Sequence, residues 1–326
     1  MALQRRAAAK VPPQGAGKTL LGYLSGRFNY HSCDEWRNRI LKGELSLNDE
    51  ICTDPDRILQ LNEMLEYHPE QLIEPAVCKD YRIIYEDDTL LVIDKPGNLP
   101  VHPAGPYFAH TLWALLKESG YENIHFVNRL DRETSGLMIA AKDAESAAKL
   151  NATLPDMFKR YNAVIHGTFP DSMTADGYLI TDTTSPIRKK QRFISCDEVK
   201  NGFELPEKAV EVKTVFTLLK SNGKFSLLNA VLQTGRMHQI RATLHSLGYP
   251  VAGDKLYGLD EQFYRKLALD TLTFEDRQKL VLNRQALHCC EISFEHPVSN
   301  KKITLQSPIP AEMEEVVDLG KREKPF

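Results

Sequence analysis

Two groups of residues in this sequence have types and spacings that could do chemistry. The first lies in HFVNRLDRETSGLMIAAKD, residues 125–143, where Asp131 stands between Arg129 and Arg132 and ahead of Glu133, Thr134-Ser135-Gly136 and the apolar run Leu137–Ala141. Neighbouring cations keep a carboxylate ionised. An ionised, partly desolvated aspartate can act as a nucleophile or a general base. The same residue could instead only cap a bend as an Asx-turn. The second group lies in GRMHQIRATLHSLG, residues 235–248. Ile240, Leu244 and Leu247 recur at i, i+4 and i+7 and make a core face, while His238, Arg241 and His245 recur at i, i+3 and i+7 and make a polar one. Thr234 and Gly235 are placed to open this helix, whose N-terminus favours an anion. A surface helix with scattered polar residues is the alternative.

Two other motifs are set aside. GAGKT, residues 15–19, has the ending of a phosphate-binding loop, but Pro12 occupies the position of its first glycine and no buried strand precedes it. A nucleotide cofactor is therefore not expected. His288, Cys289 and Cys290 precede a strand, where neighbouring side chains point to opposite faces and cannot readily share a metal. Buried free thiols are the better reading, and no metal or organic cofactor is expected.

Around these residues the chain changes grammar once. Residues 1–17 read as a flexible basic arm. Leu20, Leu21, Leu24 and Phe28 share one helical face. Ser32 and Glu35 have capping-box spacing for a second helix, with Trp36, Ile40 and Leu41 on its apolar side and Gly43 at its end. ELSLND then alternates as a short strand. This gives a small N-terminal module over 18–67, with Arg37 and Lys42 on its polar faces, and a linker over 68–80 containing Pro69 and Pro75. Strands follow: YRIIYE and LLVID around Asp87-Asp88, LMIAA, YNAVIHG, TVFTLLK and FSLLNAVL around Ser221-Asn222-Gly223, and a last hairpin of EISFEHP and KKITLQSP. HTLWALLKES reads as a helix stopped by Gly120, and Asp143 is placed to cap another. The pattern predicts a mixed α/β, or α+β, domain over 81–310 on a predominantly antiparallel sheet, then a tail over 311–326.

Composition adds bounds. At 326 residues the chain has length for two domains, and 42% hydrophobic with 26% charged residues reads as globular. The net charge of −3 does not by itself suggest a nucleic-acid partner. Its distribution is uneven, however. Arg5, Arg6, Lys10, Lys18 and Arg27 precede the first acid, Asp34, and Arg188, Lys189, Lys190 and Arg192 make a second basic cluster. The six cysteines form no C-x-x-C pair and read as reduced thiols, and no apolar run is long enough for a membrane span. A cytoplasmic location without membrane contact is expected.

Five stretches together carry a family resemblance. NRLDRETSGLMIAAK resembles the H-R-L-D-x-x-T-S-G signature of the RluA-type RNA pseudouridine synthases. KRYNAVIHG, 159–167, is similar to that family's K-x-Y-x-A-x-V-x-G strand. LQTGRMHQIRATLHSLGYPVAGDKLYG, 232–258, resembles its T-G-R-x-H-Q-I-R-x-H…G-x-P-x-x-G-D-x-x-Y-G segment. LLVIDKPGNLPVHPAG, 90–105, resembles its K-P-x-G-L-x-V-H-P loop, and LHCCEISFEHP its closing segment. They stand in family order across residues 80–310. The N-terminal module is similar to the S4-like RNA-binding domain that often precedes such a catalytic domain.

The resemblance implies the pseudouridine-synthase fold, an RNA partner (ribosomal or transfer RNA), and a monomer, as is common in the family. It implies isomerisation of uridine to pseudouridine: the base is detached, rotated and rejoined through carbon-5. Asp131 is then the nucleophile, attacking either the ribose anomeric carbon or the base. Arg241 pairs with it. Tyr161 stacks on the base and assists removal of the carbon-5 proton. Arg129 fills the space left by the flipped uridine. Arg132, Thr134, Lys95, His102, Arg236, His238 and Gln239 are implied to contact substrate, and Arg37, Lys42, Arg188 and Lys189 to hold phosphates. The sequence departs from the pattern at Asn128, where His is usual, and at Asn98, Met237 and Ala242-Thr243. Asn128 can still hydrogen-bond backbone, so altered support of the turn is expected. A catalytically silent RNA-binding or ribosome-assembly factor on the same fold is the reading from a different class.

Overall fold

The computed structural model describes residues 7–28, 31–68, 74–269 and 271–318. The chain divides into two compact units, residues 1–76 with 102–115, and residues 77–101 with 116–326.

In the first unit, strand β1 (Ala7–Lys10) leads to helix α1 (Leu20–Arg27), whose start is fixed by the Thr19 side chain accepting from Gly22 N–H. Helix α2 (Cys33–Leu41) opens on the expected capping box, with Ser32 Oγ accepting from Glu35 N–H at 3.2 Å and Glu35 Oε2 from Ser32 N–H at 2.6 Å. Strands β2 (Leu45–Leu47), β3 (Glu50–Ile51) and β4 (Met64–Tyr67) complete an antiparallel sheet in the order β1-β4-β2-β3. Leu20, Leu24, Trp36, Ile40, Leu45 and Leu59 fill its core. The expected basic arm is thus corrected for residues 7–17. Ala7–Lys10 pair with β4 and Val11 is fully buried, while Arg5 and Arg6 lie outside the described residues. Most of the Pro69–Glu74 end of the expected linker also lies outside them.

The second unit is built on β5 (Arg82–Glu86), β6 (Leu90–Lys95), α3 (Leu112–Glu118, shared with the first unit's segment), β7 (His125–Phe126), β8 (Ser135–Ala141), α4 (Ala144–Ala152), β9 (Phe158–His166), β10 (Ser172–Thr181), β11 (Gln191–Ser195), α5 (Cys196–Lys200), β12 (Val210–Ser221), β13 (Phe225–Leu232), α6 (Gln239–Ser246), α7 (Gln262–Ala268), α8 (Phe274–Leu280), β14 (Leu287–Glu295), β15 (Lys302–Gln306) and α9 (Ala311–Asp318). The sheet runs β11-β10-β12-β13-β9-β14-β8-β6-β5, with β15 beside β14 and β7 beside β8. Its pairs are antiparallel except β14 with β8, which run parallel over His288–Ser135 and Cys289–Gly136. The predicted mixed, predominantly antiparallel architecture is what forms. β6, β8 and the middle of β9 are buried on both faces, which is why they read as continuous apolar runs.

Local signals act as their chemistry requires. Asp143 accepts from Ser146 N–H at 2.7 Å and caps α4. The β12–β13 hairpin turns where Asn222 Oδ1 accepts from Lys224 and Phe225 N–H and Gly223 adopts φ +86°. Gly136 has φ +108°, and a Cβ there would overlap the Cys289 backbone, so only glycine lets β8 lie against β14.

Two boundaries differ from expectation. Helix α6 begins at Gln239 rather than near Thr234, because His238 takes a left-handed conformation, φ 58°, and 234–238 form a loop. Residues 311–318 are no tail: α9 buries Met313, Val316 and Val317, and Asn222 Nδ2 donates to the Val316 and Val317 carbonyls, while 319–326 lie outside the described residues.

Candidate active site

The site is a turn that the rest of the second unit holds in place. Asn128 Oδ1 accepts from Ile139 N–H at 2.8 Å, and Thr134 N–H donates to the Asp131 carbonyl at 3.1 Å, so residues 131–134 fold back tightly before β8. Each residue of the turn is fastened from elsewhere. The Lys95 ammonium donates to the carbonyls of Pro96, Leu99 and Arg132 at 2.8, 3.0 and 3.2 Å. Glu133 accepts from Lys255 at 2.8 Å and from Gln285 N–H at 3.1 Å. Thr134 Oγ1 accepts from Gln285 Nε2 at 2.5 Å.

Asp131 is therefore presented in one orientation. Its Oδ2 accepts from Arg241 Nη1 at 2.8 Å and from Gln285 Nε2 at 3.4 Å. Its Oδ1 faces His238 Nε2 at 3.8 Å, beyond hydrogen-bond length. The carboxylate sits deep among protein atoms, yet a third of the side chain's surface remains open. Burial works to raise its pKa. The Arg241 charge and the hydrogen bonds to Oδ2 outweigh that and hold the carboxyl below the ordinary aspartate value.

Arg241 is itself clamped. Its Nε and Nη2 donate to the two Asp254 oxygens at 2.6 and 2.8 Å, a bidentate pair, and Asp254 Oδ1 also accepts from Leu256 and Tyr257 N–H. Burial opposes the charge on this guanidinium, but the two carboxylates prevail and hold it protonated. α6 supplies Arg241 because residues Gln239–Leu244 are all buried, so the helix penetrates the unit and does not show a polar face to solvent.

Tyr161 comes from β9, where it pairs with Cys289 of β14 and Ala230 of β13. Burial first, then the Cys289 thiol and the Asp131 charge, push its pKa well above that of an ordinary phenol. The ring is thus a neutral phenol at pH 7. Burial likewise pushes Cys289 up to about 12, which makes it an inert thiol.

Other residues singled out by sequence separate into two sets. Lys95 and Gln239 are buried, not RNA-facing. Burial pulls Lys95 down to about 7, but its three carbonyl acceptors match the three N–H groups of an ammonium. Gln239 ties Thr234, Arg236 N–H, Lys213 and Thr214 together. Thr134 is buried in the turn, and Arg132 is half-buried against Glu133 at 2.9 Å. Arg129, Arg236, Arg188 and Lys189 are exposed, Lys189 lying 4.5 Å over the Tyr264 ring. Arg37, Lys42 and His102 are exposed on the first unit. Sequence reasoning missed Asp254, Gln285, Lys255 and Tyr257. Asp254, Lys255 and Tyr257 fall inside the quoted GDKLYG stretch and could have been marked from it. Nothing local distinguishes Gln285.

Residues 89–246 match the RNA pseudouridylate synthase family. The ribosomal large subunit pseudouridine synthase D of Xanthomonas campestris is 31% identical over 324 residues, 95% of this chain and 91% of that protein. Its counterpart in Vibrio cholerae is 30% identical over 97% of this chain and 95% of its own length. The mitochondrial tRNA pseudouridine(32) synthase of Saccharomyces cerevisiae is 31% identical over 75% of this chain, which spans only 51% of that protein. Among solved structures, human RNA pseudouridylate synthase domain containing 1 shares the fold, with TM-score 0.55 and 21% identity over 72% of this chain and 86% of that one. With nearly full-length relatives at this identity, the chain belongs to the RluA-type RNA pseudouridine synthases, isomerases that act on uridine in RNA.

Proposed function

We propose that this chain isomerises a uridine of ribosomal or transfer RNA, with Asp131 as the nucleophile. The observation that carries the reading is the asymmetry of its carboxylate: Oδ2 is held by Arg241 and Gln285, while Oδ1 has His238 Nε2 only at 3.8 Å and a third of the side chain's surface is open. A carboxylate kept ionised without using both oxygens can attack through the free one. Oδ1 bonds either the ribose anomeric carbon or the base, the glycosidic electron pair passes to the uracil, and the base turns to rejoin through carbon-5. The target uridine must leave its stack, since its reacting atoms are covered within it. Exposed Arg129, two residues from Asp131, fills the vacated space.

Tyr161 packs against the base. Its raised pKa supports a stacking role over that of a phenolate base, so its contribution to carbon-5 proton loss is made as a neutral phenol. Binding energy comes from exposed cations, Arg188 and Lys189 on the second unit and Arg37 and Lys42 on the first, acting as an S4-like RNA-binding module. The protein works as a cytoplasmic monomer. No described helix is long and apolar enough to cross a membrane.

The test is tritium release from carbon-5-labelled uridine in unmodified ribosomal and transfer RNA transcripts. Carbon-5 must lose its hydrogen when it joins the sugar, so release reports the isomerisation. Wild type releases tritium and Asp131→Asn does not, with RNA binding retained by both. Release by both proteins would remove Asp131 from the reaction. Binding without release by either would favour the catalytically silent RNA-binding factor.

A further inference from the structure

The His238 ring faces Asp131 Oδ1, and its own environment fixes which nitrogen carries the proton. Its Nδ1 lies 2.9 Å from Tyr257 Oη, and Tyr257 Oη also accepts from Gln191 N–H at 2.9 Å. A phenol that accepts from a backbone donor is free to turn its own hydrogen toward Nδ1. The ring proton then sits on Nε2, which faces Asp131 Oδ1 at 3.8 Å. The other tautomer would point a lone pair at the carboxylate. Burial holds Tyr257 protonated, and burial with the Arg241 charge pulls His238 down to about 4, against the opposing pull of Asp131 and Asp254. Lys189 acts in the same direction as Arg241. The ring is therefore a neutral N–H donor at pH 7, locked from behind through Nδ1, with Asp131 Oδ1 before Nε2 beyond hydrogen-bond length. The 3.8 Å gap is too long for a direct bond, and a substrate atom beside Oδ1 comes within reach of Nε2.

We propose that His238, positioned by Tyr257, donates its Nε2–H to a carbonyl oxygen of the flipped uracil as that base takes on negative charge. The inference rests on the reading of Asp131 as nucleophile. Whether Oδ1 bonds the sugar or the ring, an electron pair moves into the uracil and its charge spreads onto the carbonyl oxygens. A fixed donor at that oxygen stabilises the charge as an oxyanion-hole donor does, without transferring the proton. A neutral imidazole suits this better than an imidazolium, which would form an ion pair with Asp131 and quench the nucleophile.

Three measurements on the full chain test the assignment. In single-turnover tritium release, His238→Ala is expected to be slower by about 10²–10³-fold, the loss typical of one such donor, with RNA affinity within about twofold. His238→Gln, which keeps an N–H near the same place, is expected to recover at least about tenfold of that loss. Tyr257→Phe, which frees the tautomer, is expected to be slower by roughly tenfold. Nitrogen-15 spectra of labelled histidine should show His238 as the neutral Nε2–H tautomer at pH 7. An unchanged rate in His238→Ala beside an active wild type would overturn the inference while leaving Asp131 as nucleophile. So would an Nδ1–H or doubly protonated ring, a readout that stands whether or not the RNA supplied is turned over. Loss of wild-type release, by contrast, counts against the reading of the function. His238→Gln as slow as His238→Ala, with native thermal stability, would mean that the ring acts by shape and not as a donor.

Discussion

Arg241 is shared between two carboxylates, and the two do different work. Asp254 takes both of its oxygens to the guanidinium and fixes its plane; Asp131 takes the remaining nitrogen through one oxygen only. Replacement by Met leaves Asp254 buried without its cation, which is expected to destabilise the fold by about 3–5 kcal/mol in urea denaturation. The pH dependence has a definite sign. Burial works to raise the Asp254 pKa, but Arg241 and the backbone donors hold it below the unfolded value, so its contribution is present at neutral pH and is lost as pH falls through the folded value. Arg241→Met should therefore unfold at a higher pH on acid titration than wild type. Lys95 gives the complementary prediction. Because it clamps the Arg132 carbonyl and touches no solvent, Lys95→Met should slow single-turnover tritium release by about 10–100-fold while RNA affinity stays within twofold. A phosphate contact would show the reverse split. At this scale the sequence motifs marked Asp131, Tyr161 and Arg241, but they placed Lys95 and Gln239 on the substrate side. Lysine and glutamine sit outside by default, and only their partners, up to 37 positions away, reveal burial.

Among the elements, the apolar strands and the capped turns were legible because their signals are local. Helix α6 was misread at its start for an equally physical reason. The apolar spacing of 240, 244 and 247 runs on from a loop whose shape is set by the left-handed His238, and periodicity cannot see a backbone reversal. That reversal is what brings Nε2 to face Asp131. The docked helix α9 was missed because its apolar positions are few and their partners lie on the β12–β13 hairpin. Where β8 enters the sheet, Gly136 has no room for a side chain. Gly136→Ala is expected to destabilise the protein by at least about 2 kcal/mol, read as a fall in the denaturant midpoint, since both its positive φ and the Cys289 backbone oppose a Cβ.

On the scale of the whole molecule, a net charge of −3 does not conflict with an RNA substrate, because Arg37, Lys42, Arg188 and Lys189 are exposed in local groups. Many other charges are spent on internal pairs, such as Lys190 with Glu261 and Lys255 with Glu133. Arg37→Glu with Lys42→Glu is expected to weaken RNA binding and to flatten its dependence on salt by about one unit of log–log slope per lost phosphate contact. The rate at saturating RNA should not change. A loss of rate with unaltered affinity would place these residues outside the binding surface. The change of grammar near residues 68–80 marked the passage from one unit to the other. The membership of 102–115 in the first unit left no such mark, because a returning segment has no composition of its own.

The fastening of Asp131 by Gln285 spans 154 positions of chain, and the parallel pairing of Gly136 with Cys289 spans nearly the same stretch. On a translating ribosome, at about 5–20 residues per second, this interval takes on the order of ten seconds or more. During it the nascent chain already contains the turn and the Lys95 clamp on it, but gains Arg241 and Gln285, which hold the Asp131 carboxylate, only late. The Asp131 carboxylate thus acquires the partners that orient it only in the last third of synthesis.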